Sequence, residues 1–326
     1  MRPTKPAIER RQAETWARER YGIEATAAEL PGEIDRNFLL TARDGSRRVL
    51  KVSPGGAIPL EIESQLAALR HLEHTEVGSL VPRVVPDLDG EVSSPVDLRN
   101  GDRGMLRMVT YLDGRPLARL DQSNPGLRRQ IGRTLGRLDR ALASFDHPGA
   151  TRKLVWDIRR VLELRSLVDL LQSDLRPQVV HGLDRFAERV EPRLGDLRVS
   201  VVHNDANDHN LLVNEDDAGR PQLCGLIDFG DMLHSITVAE LAIACAYAML
   251  DVDDPSAAAD DVTAGYEEAL PLDTLERELL GDLIVARLCA SVLLSAQARQ
   301  TSPGDDYLIV SERAIADLLR RLGASP

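Results

Sequence analysis

The sequence predicts an α+β fold in two lobes, an N-terminal antiparallel sheet with one main helix followed by a mostly α-helical C-terminal lobe. Three observations carry this. Between residues 21 and 112, short strand-like runs alternate with turn residues. From about residue 127 onward, apolar residues recur at helical spacing through most of the chain. The exception is residues 197–228, where two short β-branched or leucine-rich runs bracket the densest polar cluster in the sequence. A chain of 326 residues can bury an ordinary core in one large or two modest domains.

Each element follows from local pattern. The first twenty residues alternate charges around a helical amphipathy and read as a surface helix. FLLTA (38–42), the turn Asp44-Gly45-Ser46 and RVLKVS (48–53) form a hairpin. Residues 60–72 place Ile62, Leu66, Leu69 and Leu72 on one helical face. The runs near Val84 and over 104–112 extend the sheet, and Asp113-Gly114-Arg115-Pro116 breaks it. We therefore set a first lobe at 1–109, a connection at 110–114 and a second lobe at 115–326. Within the second lobe, residues 127–142, 156–171, 179–190, 237–250, 273–298 and 306–322 read as helices. In the first of these, Gly132 and Gly136 permit close helix approach. RVSVVH and LCGLID read as strands.

Composition excludes several classes. Lys plus Arg number 40 against 52 Asp plus Glu, a net charge of −12, the wrong sign for a binder of the nucleic-acid backbone. Aromatic residues are too sparse, at 3%, for base-stacking platforms, and 43% hydrophobic content is that of a folded chain. No uninterrupted apolar run reaches 18 residues, so no membrane association is expected. Cys224, Cys245 and Cys289 lack metal-site spacing and sit among apolar residues, as core thiols of a reducing compartment do. The N-terminus lacks the apolar stretch of a secretion signal, and a cytoplasmic location is expected.

The chemistry concentrates in VVHNDANDHNLLVNEDDAGRPQLCGLIDFGD (201–231). His203, Asp205 and Asn210 fit H-x-D-x-x-x-x-N, and Asp228-Phe229-Gly230 follows 18 residues after Asn210. Phosphoryl transfer needs a group that positions the acceptor hydroxyl, which Asp205 can supply, and oxygen ligands for Mg2+, which Asn210 and Asp228 can supply. Each motif alone occurs by chance; their order and spacing together are specific. His203 is read as bracing the loop rather than moving protons. Lys51, in RVLKV, stands where a strand lysine would hold the donor phosphates, and of the two carboxylates opening the next helix, Glu63 is favoured over Glu61 as its partner.

With these residues assembled, the chain resembles the aminoglycoside phosphotransferase superfamily over nearly its whole length. LPGEIDRNFLL (30–40), TYLDGRPL (110–117), HNDANDHNLLV (203–213) and GLIDFGDMLHS (225–235) look like its hydroxylysine kinase branch. The resemblance implies a two-lobed protein-kinase-like fold in which the first lobe binds nucleotide. It implies Asp205 as catalytic base in a loop spanning 203–210, a metal-binding segment at 228–231, and Asn210 and Asp228 as Mg2+ ligands. Lys51 with Glu63 would orient the phosphates of ATP or GTP, and the Thr110 carbonyl and Leu112 amide would hold the base. The chain departs from the wider pattern in three ways. The turn at 32–37 has one glycine where a glycine-rich loop would stand, Asp139 replaces a common histidine, and no room follows Asp231 for a peptide platform.

The expected activity is transfer of a γ-phosphate to a hydroxyl of a small amine-bearing metabolite. An aminoglycoside antibiotic phosphotransferase is the alternative within the class, and a catalytically silent binding module the alternative outside it. A cationic acceptor is expected from the acidic residues Asp208, Asp231, Asp251, Asp253, Asp254, Asp260, Asp261, Glu267 and Glu268, with Asp208 and Asp231 the candidate contacts. Taken alone, residues 251–261 read as a solvated loop. Trp156 reads as a core residue at a helix start or as a wall of the acceptor pocket.

Overall fold

The computed structural model describes residues 5–32, 34–54, 59–98, 101–120, 124–301 and 311–323. The chain divides into two compact units, Met1–Asp113 with His147–Gly149, and Gly114–Asp146 with Ala150–Pro326.

In the first unit, α1 (Arg10–Tyr21) turns its small face inward through Ala13, Ala17 and Tyr21 and ends on Gly22, whose φ of 67° supplies the left-handed cap. The strands are β1 (Ala25–Leu30), β2 (Arg36–Ala42), β3 (Arg47–Ser53), β4 (Val84–Val85), β5 (Ser94–Asp97) and β6 (Arg103–Thr110), with α2 (Pro59–Leu72) between β3 and β4. They pair antiparallel in the order β1-β2-β3-β6-β4, and β5 also pairs with β6. Alternation puts Phe38, Leu40, Leu50, Val52, Leu106 and Met108 in one core against α1. The predicted hairpin and helix are present. β5, whose outward positions are Pro95 and Asp97, was not visible as a strand.

The second unit comprises β7 (Arg115–Pro116), α3 (Pro125–Leu142), α4 (Arg176–Arg185), β8 (Val199–Val202), β9 (Leu211–Glu215), β10 (Pro221–Leu226), β11 (Leu233–Ile236), α5 (Val238–Ala248), α6 (Pro255–Ala269), α7 (Thr274–Thr301) and α8 (Glu312–Gly323). β10, β9 and β7 form one small sheet, and β11 with β8 another. Residues 306–310 of the last predicted helix lie outside the described residues.

Three expectations need correction. Ile158–Leu170 is a 3-10 stretch rather than an α-helix, and Phe186–Val190 continues α4 as a π-helical turn. The acid-rich segment expected to be a solvated loop enters α6 at Pro255. Asp254 caps that helix by accepting from the Ala257 amide at 3.0 Å. Helices α3 and α6 cross closely because Gly132, Gly136 and Gly265 leave no side chain between their backbones. α7 is long and apolar enough to cross a membrane by length and composition, but 89% of its most apolar window is buried inside this unit. The three cysteines are free thiols, with Cys245 and Cys289 buried.

Candidate active site

The first unit contributes a polar row on its sheet. Lys51 on β3 is cross-strand partner to Asn37 on β2 and to Arg107 on β6, which sets two cations side by side. Asp35, just before β2, resolves this. Its Oδ2 accepts from Arg107 Nη2 at 2.5 Å and lies 4.0 Å from Lys51 Nζ, while its Oδ1 accepts from Ser53 Oγ at 2.7 Å. Burial alone would raise the Asp35 carboxyl, but Arg107, Lys51 and Ser53 outweigh it and hold the group below the ordinary carboxylate range. Asp35, missed as a partner, was readable in principle, because the register that faces Asn37 to Lys51 brings the residue two before Asn37 to the same face.

Glu63, expected beside Lys51, lies on the exposed face of α2, whereas Asp35 brings a carboxylate oxygen to 4.0 Å from the lysine. Ile62, Leu66 and Leu69 take the buried face, and Glu63 is turned away from it. Gly32 is needed where it stands, since a Cβ there would lie 2.8 Å from the Asp35 carbonyl and collide with the Asn37 amide. Glu33 of the same turn lies outside the described residues. Thr110 ends β6, its amide donating to the Arg83 carbonyl and its Oγ1 accepting from the Arg83 amide, and half-buried Leu112 follows just before the end of this unit.

In the second unit, β8 delivers the loop that runs to β9. His203 is fully buried. Its Nδ1 accepts from the Asp205 amide at 3.2 Å, so Nε2 carries the proton and donates to the Ile227 carbonyl at 3.1 Å. The ring also meets Phe229 edge-on at 4.6 Å. Burial depresses the imidazole to about 4, against a smaller upward pull from Asp228. It stays neutral and braces the loop against the segment carrying Asp228. Asn204 adopts φ 66°, and its amide donates to Glu240 Oε2 on α5 at 2.8 Å. Burial pushes the Glu240 carboxyl up to about 7, with the loop amides of Asn204 and His203 pulling the other way.

This bracing fixes Asp205. Its Oδ2 accepts from Asn210 Nδ2 at 2.7 Å, and its Oδ1 accepts from Asn207 Nδ2 at 2.9 Å and from Arg287 Nη2 at 3.4 Å. The Asp205 side chain keeps 24% of its surface exposed, so an acceptor can reach it. Burial of the rest and the nearby Asp231 and Asp228 charges raise its carboxyl, against Arg287. Asp228, exposed and at φ 64°, accepts from the Gly230 amide at 3.3 Å, and the Ile227 amide donates to the Asn210 carbonyl at 3.0 Å, tying the two segments together. Among the described residues no three His, Cys, Asp or Glu side chains form a protein-only metal centre. The oxygens of Asn210 and Asp228 suit a hard cation that completes its shell with water and donor phosphates, so the donor set fits Mg2+.

Matched against known proteins, residues 26–279 fit the profile of the phosphotransferase enzyme family. The chain belongs to that family. A hydroxylysine kinase of Danio rerio is 29% identical over 334 residues, covering 98% of this chain and 92% of the relative. Among solved structures, a microcompartment-associated aminopropanol kinase superposes with a TM-score of 0.72 at 18% identity, covering 96% of this chain and 97% of its own. An amicoumacin kinase in complex with AMP-PNP and Ca2+ gives 0.70 at 16% identity, with 97% and 94% covered. The two-lobed kinase-like fold is therefore established, and with it a small-molecule kinase that phosphorylates a hydroxyl.

The acidic lining expected of this phosphotransferase is largely engaged elsewhere. Asp261 pairs with Arg128 at 3.2 Å, Glu268 with Arg133 at 2.5 Å and Glu267 with Arg277, while Asp254 caps α6. Asp208 is only 8% exposed, and its carbonyl accepts from the Ala118 amide. Asp231, half-buried after Phe229, is the expected acceptor contact that does act electrostatically on Asp205. Asp139 is fully buried and accepts from the Tyr266 hydroxyl at 2.5 Å, a link between α3 and α6. Trp156 is neither a plain core residue nor an empty wall. Its ring lies 4.6 Å from the guanidinium carbon of Arg287. Sequence reasoning missed Arg287, Asn207 and Glu240. A signal existed for Arg287, the single charged residue between Asp282 and Arg299 in an otherwise uncharged run.

Proposed function

We propose that the protein is a Mg2+-dependent kinase that transfers the γ-phosphoryl group of ATP or GTP to the hydroxyl of a small amine-bearing metabolite of the hydroxylysine type. The observation that carries this reading is the state of Asp205, pinned at both oxygens by Asn207, Asn210 and Arg287 yet open on one side. A carboxylate so held can orient an acceptor hydroxyl and take its proton as the bond to phosphorus forms. Its raised proton affinity suits that task.

Asn210 and Asp228 would hold the cation, which when bound neutralises charge on the donor phosphates. Lys51, with Asp35 setting its direction, would neutralise the phosphates further, and the Thr110 carbonyl and Leu112 amide would hold the base. Asp231 would receive an amine of the acceptor. The 29% identity to a hydroxylysine kinase supports this acceptor class over aminoglycosides.

The test is phosphate transfer from ATP and from GTP, with Mg2+, to hydroxylysine, homoserine, ethanolamine, choline and representative aminoglycosides. Turnover of hydroxylysine is expected, and Asp205→Asn should lower kcat by about 10²–10⁴-fold with nucleotide binding retained. Retained turnover in that variant removes Asp205 from the role, and preference for an aminoglycoside removes the acceptor class.

A further inference from the structure

Arg287 presents an unusual economy of bonds. It projects from α7, and only 2% of its surface is exposed. A guanidinium this deep has given up water at five N–H groups and needs acceptors in return. Nη2 makes the long 3.4 Å contact to Asp205 Oδ1, and the Tyr247 hydroxyl is a second partner of the guanidinium. Nε and Nη1 are buried with no hydrogen-bond partner. The ring of Trp156 at 4.6 Å and that of Tyr247 at 5.7 Å cover the cation and accept nothing at Nε or Nη1. Each edge of the planar fork therefore keeps one unused donor, side by side with the residue assigned to the acceptor hydroxyl.

We infer that Arg287 is the subsite for a carboxylate on the acceptor, and that the substrate class is a hydroxy amino acid rather than a simple amino alcohol or an aminoglycoside. The fork of a guanidinium matches a carboxylate in shape and charge, and the aromatic cover makes the pairing stronger by excluding water. Because Nη2 already touches Asp205, a hydroxyl held by Asp205 and a carboxylate held by the same guanidinium would belong to one small acceptor. The inference deepens the proposed function and rests on its assignment of Asp205.

The test compares hydroxylysine with the diamino alcohol it becomes on losing its carboxyl group. Binding to the wild-type protein loaded with AMP-PNP and Mg2+ is measured by calorimetry, and turnover with ATP or GTP is measured alongside. Wild type should favour hydroxylysine on the order of 10²-fold, in both Kd and kcat/KM. Arg287→Met should collapse that ratio toward one, and Arg287→Lys, which keeps the charge but not the fork, should fall between. A wild-type ratio near one, failure to bind either compound, or equal losses for both acceptors in Arg287→Met would overturn the inference and leave Arg287 as a counter-ion to Asp205. The wild-type ratio needs no variant, so a folding defect leaves the test decisive. Phosphorylation of both compounds without preference would defeat the carboxylate subsite and keep the kinase. Preferential binding without phosphorylation would do the reverse.

Discussion

Replacing Gly132 with alanine places a methyl group where α3 and α6 have no space for one. The new Cβ would overlap the Val262 carbonyl oxygen and stand 2.8 Å from the Tyr266 amide nitrogen, below the 3.0 Å that real Cβ atoms respect. Both are backbone atoms, so no side chain can rotate away and the helices must separate. Overpacking of this kind costs about 3 kcal/mol. Separation also stretches the 2.5 Å bond from Tyr266 to Asp139, which leaves a buried carboxyl poorly satisfied for about 1 kcal/mol more. Better helix propensity returns about 1 kcal/mol. The net expectation is a loss of about 3 kcal/mol. Gly281 on α7 supplies the control, because nothing lies within 4 Å of its Cβ position, and Gly281→Ala should stabilise by up to about 1 kcal/mol. Urea unfolding followed by Trp156 fluorescence in a Trp16→Phe background reports on the second unit alone. Equal midpoints for the two alanine variants would refute the close-approach argument.

Asp228→Ala should abolish the Mg2+ dependence of nucleotide binding, and calorimetric titrations with the ion present and removed by EDTA would then coincide. A persistent difference would move the metal elsewhere. His203 is held neutral, with its imidazole at about 4 in the fold against an ordinary value near 6.5. The unfolded chain therefore takes up this proton first as pH falls, and the stability contributed by the neutral ring is lost between about pH 6.5 and 4, about 2 kcal/mol of it by pH 5. His203→Gln should remove that share of the acid limb, so the wild-type and variant urea midpoints should converge between pH 7 and pH 5. Parallel midpoints would show that the ring does not titrate this way.

How much of this was legible in the sequence follows from the range of each interaction. The hairpin at Lys51 and the segment from His203 to Asp231 are local, fixed by turn residues and by spacing within a few tens of positions, and both are found where the pattern puts them. Asp35 and Glu63 differ by one step of inference. Helical periodicity assigns Glu63 to the edge of a face, but only the cross-strand register of Asn37, Lys51 and Arg107 shows that two adjacent cations need a carboxylate there. The start of α6 carried an Asp-Pro cap signature at Asp254 that the surrounding acid run obscured. Nothing in the composition of residues 158–170 separates a 3-10 stretch from an α-helix, because both bury residues three apart. Arg287 meets Asp205 across 82 residues of chain, and no local pattern encodes that contact.

The same contrast bears on what net charge can say about a substrate. A chain at −12 suggests an acidic pocket and a cationic acceptor. The structure spends much of that acidity on arginines, through Asp261 with Arg128, Glu268 with Arg133, Glu276 with Arg198 and Asp282 with Arg185 and Arg189. Paired charges of opposite sign have short-range fields that solvent screens within about 10 Å. The charges that act on Asp205 are Asp231 and Asp228 on one side and Arg287 on the other, and on the proposed reading the carboxylates would favour an amine and the donors of Arg287 a carboxylate. The carboxylate subsite we infer at Arg287 would therefore be met by an acceptor carrying both signs and not by an aminoglycoside, with amines alone.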